Sequence, residues 1–403
     1  MKTKCCLCLA VCLLILEQKA AAVESALFEA FLKASNTEAN DQFGWSVAVS
    51  GNTAVVGARF EDSGVPGINQ GPAQEANNAS AAAGAAYVFV RNSGVWTFQA
   101  YLKPAVRQAG ANFGATVAIS GNTIAVGAPG DNSSTTGINS TPNNVSAATG
   151  AVHIFVRNAG VWSQQAYIKA DAVRFFDELG KSLALDGDLL VAGAPGEDTS
   201  VGGVNPPRDI LANNTGAAFV FRRSGTTWVQ EVMLKASNPG DGDNFGVSVG
   251  VSGNTIVVGA QFEDSAAGGV DAVPNESSTD SGAAYVFAMG QSGWAQQAYL
   301  KAPVPDTDNR FGVAVAVSGN TVLVGSERED SSTSGINTVP NALGFRNGAA
   351  YVFERTGVTW AQQAYLKASN SGESDWFGAT VSLDGNLAVV GAYVEDSSGS
   401  GVD

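Results

Sequence analysis

Six copies of one motif, set at a nearly fixed interval, restrict this chain to a repeat architecture. The steps Phe43-Gly44, Phe113-Gly114, Leu179-Gly180, Phe245-Gly246, Phe311-Gly312 and Phe377-Gly378 are separated first by seventy residues and then four times by sixty-six. Fourteen residues beyond each comes a small pair: Gly57-Ala58, Gly127-Ala128, Gly193-Ala194, Gly259-Ala260, Gly325-Ser326 and Gly391-Ala392. A third element, Gly-Ala-Ala-Tyr-Val-Phe or close to it, begins at Gly84, Gly150, Gly216, Gly282 and Gly348. A tryptophan follows it at Trp96, Trp162, Trp228, Trp294 and Trp360. A period of this length marks stacked supersecondary units, so chain length no longer counts domains. The four extra residues of the first interval fall between Ala58 and Gly84.

One period reads as four strands. Residues 47–50 and Thr53–Ala58 flank Gly51-Asn52, a two-residue hairpin turn, and repeats three and six place Asp186-Gly187 and Asp384-Gly385 there. The third strand covers 85–90, and Asn92-Ser93-Gly94 turns it into a fourth over 96–103. The second and third strands are almost continuously apolar, so both faces of the sheet are covered. Four-stranded sheets stacked face to face make an all-β propeller, whereas solenoid repeats are shorter. Six antiparallel blades are expected over residues 27–403, starting near 43, 113, 179, 245, 311 and 377. The sixth stops before its third strand, so the sequence reads as truncated, and seven blades fit a longer chain. Residues 27–33 match a fourth strand that has no blade before it.

Residues 1–22 read as an export signal: Lys2 and Lys4, an apolar run from Cys5 to Leu16, and Ala20, Ala21 and Ala22 as a cleavage region. All four cysteines lie in this segment, so the remainder is expected to be secreted or cell-surface without a disulfide framework. No later stretch is apolar enough to span a bilayer as a helix. The formal charge of −15 argues against nucleic acid, whose phosphates call for clustered Lys and Arg, and suits cations or basic partners.

The units resemble FG-GAP repeats, the blades of the N-terminal propeller of integrin α subunits and of many bacterial surface proteins. Phe113-Gly114, Gly127-Ala128-Pro129 and Gly150-Ala151-Val152-His153-Ile154-Phe155 carry the pattern best. The resemblance implies a propeller and is specific for fold, not for function. Integrin-type blades often hold a calcium loop between the first two strands. Here Ser50-Gly51-Asn52-Thr53 and its copies are too short to wrap an ion, so those calcium sites do not carry over.

Candidate sites lie in the long loops. Between the second and third strands an acidic pair is followed by Gly-Ile/Val-Asn/Asp. The pairs are Glu61-Asp62, Glu197-Asp198, Glu263-Asp264, Glu329-Asp330 and Glu395-Asp396, and repeat two has Gly130-Asp131 instead. These are expected to line a ligand face or, on the reading favoured by their repetition, to be turn structure in which Asp caps backbone N–H groups. The better calcium ligands are alternate carboxylates between repeats: Asp241 and Asp243, Asp306 and Asp308, Glu373 and Asp375. The repeated tryptophans are expected in the core between blades, while Trp45 and Trp376 are irregular. Asn78, Asn132, Asn139, Asn144, Asn213 and Asn275 open glycosylation sequons.

Enzyme chemistry has little support. The only histidine, His153, takes the Tyr position of a third strand, and carboxylate pairs recur around the repeat where a catalytic pair would be unique. The expected function is an extracellular binding or adhesion module that holds a protein or glycan. The alternative is the accessory propeller of a larger secreted hydrolase, since FG-GAP-like propellers accompany enzymes of a phospholipase D type. The sequence names no oligomeric state.

Overall fold

The computed structural model describes residues 10–15, 29–36, 38–69, 75 and 77–397. Two compact units divide it, one of residues 29–235 and one of residues 1–28 and 236–403.

The first unit holds repeats one to three. Repeat one is the antiparallel sheet Phe43–Ser50, Thr53–Ala58, Ala85–Asn92, Val95–Leu102 in that order. Repeat two follows with Thr116–Ser120, Thr123–Ala128, Ala151–Asn158 and Val161–Ile168, and repeat three with Ser182–Asp186, Leu189–Ala194, Ala217–Ser224 and Thr227–Lys235. The other unit holds Ser248–Ser252, Thr255–Ala260, Ala283–Gly290 and Gly293–Leu300, then Phe311–Ser318, Thr321–Ser326, Ala349–Thr356 and Thr359–Leu366. Its sixth repeat contributes two strands, Thr380–Asp384 and Leu387–Ala392. The result is five antiparallel blades of four strands, that of repeat three extended by the short strand Gly203–Val204 along Thr227–Lys235, and a partial sixth, all of the propeller type.

The sequence explains these sheets locally. Second strands such as Thr255–Ala260 are buried along their whole length, as an apolar strand between two neighbouring sheets must be. The third-to-fourth turns of repeats one and two place Ser93-Gly94 and Ala159-Gly160 at positive φ, the geometry that matches the twist of paired strands. Within each unit the first strands of successive sheets lie against one another, and the core sits between sheets. Val55 and Val88 of repeat one meet Phe113, Ile124, Phe155 and Trp162 of repeat two; Val257 and Val286 of repeat four meet Phe311, Val324 and Phe353 of repeat five.

Within each unit, the Phe-Gly and Gly-Ala steps are where consecutive sheets touch backbone to backbone. The Gly127 Cα packs so closely on the next repeat that a Cβ there would stand 2.2 Å from the Gly180 carbonyl oxygen. The same oxygen accepts the Thr116 hydroxyl at 2.7 Å, as Gly114 accepts Ser46 and Gly312 accepts Ser248. The phenyl rings of Phe113 and Phe311 fill the core between their sheet and the preceding one and are fully buried.

One expectation needs correction, and another lies largely outside the described residues. Residues 27–33 do not form a fourth strand as far as they are described: Glu29–Lys33 has no strand partner, and Leu32 packs instead on the first repeat's cluster of Val56, Tyr87 and Phe89. Of the expected export signal, residues 1–9 and 16–22 lie outside the described residues, while Ala10–Ile15 pairs antiparallel with Leu387–Ala392.

Candidate functional site

The long loops are fixed by a three-point anchor that the sequence repeats in every complete blade. The first point is the glutamate of the acidic pair. It turns inward at the end of the second strand and meets a buried lysine from the end of the fourth strand: Glu61–Lys103 at 2.7 Å, Glu197–Lys235 at 2.8 Å, Glu263–Lys301 at 2.7 Å and Glu329–Lys367 at 2.8 Å. In repeat two the shorter Asp131 takes this part against Lys169 at 3.2 Å. A tyrosine hydroxyl adds a bond to the same carboxylate, from Tyr101, Tyr167, Tyr299 and Tyr365. Repeat three has Met233 at that place, and the Thr199 hydroxyl bonds Glu197 instead. Burial pushes each ammonium below the ordinary lysine range while the facing carboxylate pulls it back up. Burial and the same carboxylate push the Tyr299 phenol well up. A buried charge is tolerated only when paired and hydrogen-bonded, as here.

The second point is the aspartate beside it, which faces the other way. Its carboxylate accepts the backbone N–H of a residue at positive φ just before the third strand: Asp62 from Ala82, Asp198 from Asn214, Asp264 from Asp280 and Asp330 from Arg346. Asn132 does the same for Ala148 in repeat two. The third point is the Gly-Ile/Val-Asn/Asp tripeptide, which docks on the outer edge of the fourth strand. Asn69, Asn139, Asn205, Asp271 and Asn337 each sit at positive φ and accept the N–H of Tyr101, Tyr167, Met233, Tyr299 and Tyr365.

The expected ligand face is therefore corrected at its glutamates. Glu61, Glu197, Glu263 and Glu329 are buried and paired, so they cannot present themselves to a ligand. Asp62, Asp198, Asp264 and Asp330 hold backbone, as the turn reading expected. In the partial sixth repeat, Glu395 is half-buried and accepts Asn370 Nδ2 at 3.0 Å, while Asp396 lies exposed. The lysines were missed, although the sequence offered a signal: one lysine at the end of each apolar fourth strand, at a constant separation of 38 residues from the acid in repeats two to five.

The expected calcium positions are not brought together. Asp241, Asp306 and Glu373 lie at exposed positions. Asp243 and Asp375 are buried, and each accepts a backbone N–H from three residues earlier, Gly240 and Gly372. Asp308 is held by Arg328, Arg346 and Arg310. Among the described residues no group of three or more His, Cys, Asp or Glu side chains is placed to hold a metal ion.

Trp162, Trp228, Trp294 and Trp360 are buried as expected, whereas Trp96 is only half-buried, and three of the indoles donate to a glutamine of the preceding repeat's fourth strand: Gln99, Gln165 and Gln297. Trp45 is exposed, and the Arg59 guanidinium carbon stands 3.2 Å from its ring centroid. His153 is buried between Phe113 and Tyr167, its pKa pushed down to about 4 by burial. Of the sequon asparagines, Asn78, Asn144 and Asn213 are exposed, whereas Asn132, Asn139 and Asn275 use their side-chain oxygens to hold loop backbone.

Sheets of this order, each rooted by one buried acid–lysine pair and stacked through paired glycines, define an all-β repeat protein of propeller-type blades. The chain belongs to the FG-GAP repeat family, whose model matches residues 27–89, 96–155, 162–221, 228–287, 294–353 and 360–402. No curated protein matches it. Among solved structures it is similar to a protein of Bacteroides uniformis ATCC 8492 described as a candidate 6-phosphogluconolactonase. The TM-score is 0.38 and the identity 10%, over 81% of this chain and 85% of that chain. At that distance the likeness carries no assignment of activity.

Proposed function

We propose that the chain is an extracellular binding module, not an enzyme, and that it meets a protein or glycan with the outer parts of its long loops. The supporting observation is that loops so firmly anchored at their roots still expose apolar side chains. Leu211 is 80% exposed, Val273 82%, Val339 83% and Leu343 79%. Exposed apolar side chains on loops carried by a rigid scaffold suit contact with a partner. The non-catalytic reading draws on His153, which is enclosed by aromatic rings and kept neutral by its burial.

The test compares the purified chain with a variant carrying Leu211→Ser, Val273→Ser, Val339→Ser and Leu343→Ser. Both are passed over immobilised extracellular proteins and glycans by surface plasmon resonance. Loss of more than about tenfold in affinity for a bound partner, with an unchanged melting temperature, supports the loop face. Unaltered binding by the variant moves the site off these loops. Melting with calcium and with chelator decides separately whether ions stabilise the fold, since a ligand of the folded state raises the midpoint by mass action.

A further inference from the structure

One group of side chains departs from the repeat. Arg310, Arg328 and Arg346 come from three different segments of repeat five, and no other repeat carries arginine at any of these positions; repeat four has Asn244, Phe262 and Asp280 there. All three guanidiniums converge on one carboxylate. Arg328 Nη1 stands 2.8 Å from both oxygens of Asp308, Arg346 Nη2 2.8 Å from Oδ2, and Arg310 Nε 3.3 Å from Oδ1. Glu327, mostly buried, approaches Arg310 at 3.4 Å, and Asp280 acts on the group at longer range.

Beside the arginines lies an aromatic pair from repeat six. Trp376 and Tyr393 meet edge to face with centroids 5.4 Å apart, and the Arg328 guanidinium stands 5.5 Å from the Trp376 centroid. Two donors here, Arg328 Nε and Trp376 Nε1, are buried without a hydrogen-bond partner. Arg328 Nε stands 3.9 Å from Glu327 Oε1, beyond hydrogen-bond distance, and native structures rarely leave such donors unsatisfied, so both have capacity for a further acceptor. The folding of a blade does not call for this cluster, since the other repeats form without it. Guanidinium forks match carboxylate geometry, and an exposed aromatic face such as that of Tyr393, 41% exposed, accepts the C–H face of a sugar ring.

We propose that this cluster is a recognition site for an acidic saccharide, the guanidiniums binding a uronic acid carboxylate and Tyr393 stacking on its ring. Asp308 holds the three arginines in register in the free protein and weakens their attraction for a second carboxylate. The net charge of −15 repels long polyanions, so the fitting ligand is short. The site goes beyond the loop-face reading and uses none of its apolar side chains, so either can fail without the other.

Isothermal titration of the full chain with trigalacturonic acid tests it, with the trimethyl ester and a triglutamate peptide as comparators. The acid is expected to bind at least about tenfold more tightly than its ester, and about tenfold less tightly to Arg346→Gln and to Tyr393→Ala. Asp308→Asn is expected to bind more tightly than the unaltered chain. A structural salt bridge alone would not produce that gain, and Asn tolerates the positive φ of 65° at this position. Absence of binding by the unaltered chain overturns the proposal. So does equal binding of the ester, triglutamate binding as tightly as the saccharide, or unchanged affinity in the variants. Should Arg346→Gln fail to fold, the ester comparison and Tyr393→Ala still decide.

Discussion

A single side chain shows how a repeat absorbs an exception. His153 occupies a place that Tyr87, Tyr285 and Tyr351 fill in other repeats and Phe219 fills in the third. It keeps their aromatic contacts, 5.3 Å from the Phe113 centroid, but adds a titration. Its folded pKa of about 4 lies below the ordinary 6.5, so the unfolded chain takes up the proton first as pH falls. The stability it contributes is therefore complete above about pH 6.5 and is lost down to about pH 4, by up to about 3 kcal/mol. His153→Phe is expected to melt progressively higher than the parent as pH falls from 6.5 to 4, while the two melt at nearly the same temperature at pH 8. Thermal melts of both proteins across that range check this, and parallel curves would contradict it.

At the scale of the element, the decisive object is the pinned loop. Removing one partner of its root strands a buried charge, which costs about 3–5 kcal/mol. Lys301→Met is therefore expected to lower the stability of its sheet sharply, because Glu263 would keep only neutral donors such as Tyr299 and the Ser265 N–H. The double variant Lys301→Met with Glu263→Gln is expected to recover much of the loss. Urea unfolding of the three proteins measures both, and additive losses would mean that the pair does not act as a unit.

Strand order, turn positions and the burial of Trp162, Trp228, Trp294 and Trp360 were legible in the sequence because period-two and hairpin signals are local. The Glu–Lys partnership was not, because it joins residues 38 apart whose meeting depends on the sheet. Adjacent residues of an extended chain point to opposite sides, and this explains why Glu263 goes inward while Asp264 goes out to backbone. An acidic dipeptide in a loop looks like a surface feature until its first member is seen to be buried. The arginine cluster was equally hidden: Arg310, Arg328 and Arg346 are spread over thirty-six residues, and only the turns at Arg310 and Arg346 bring them to Asp308.

Across the whole molecule, aspartates two residues before the Phe-Gly step give a second pH response, opposite in sign to that of His153. Burial pushes Asp41 up to about 6 and both Asp177 and Asp243 up to about 7. Asp375 is raised as well. Between the ordinary carboxylate pKa near 4 and these values, the folded chain holds protons that the unfolded chain releases. Stability therefore declines as pH rises from about 4 to 7, by at most about 4 kcal/mol for the most shifted group. Repeat five already carries Asn309 at this place. Asp243→Asn is accordingly expected to raise the melting temperature at pH 8 relative to pH 5. A calorimetric series over that range tests it, and a variant with the parent's pH slope would remove Asp243 as the source.

The three anchors of the long loop also decide where the chain can change. In repeat one, Glu61 and Asn69 keep the spacing found in the other repeats, as do Asn77 and Ala82. The four additional residues of that repeat thus fall between Asn69 and Asn77. Insertion there lengthens the free span without disturbing an anchor, and the closure cost of a longer span grows only slowly. Each blade in this way separates a segment that must be copied faithfully from one that is free to drift, and a family built on it can alter what it displays without redesigning what it is.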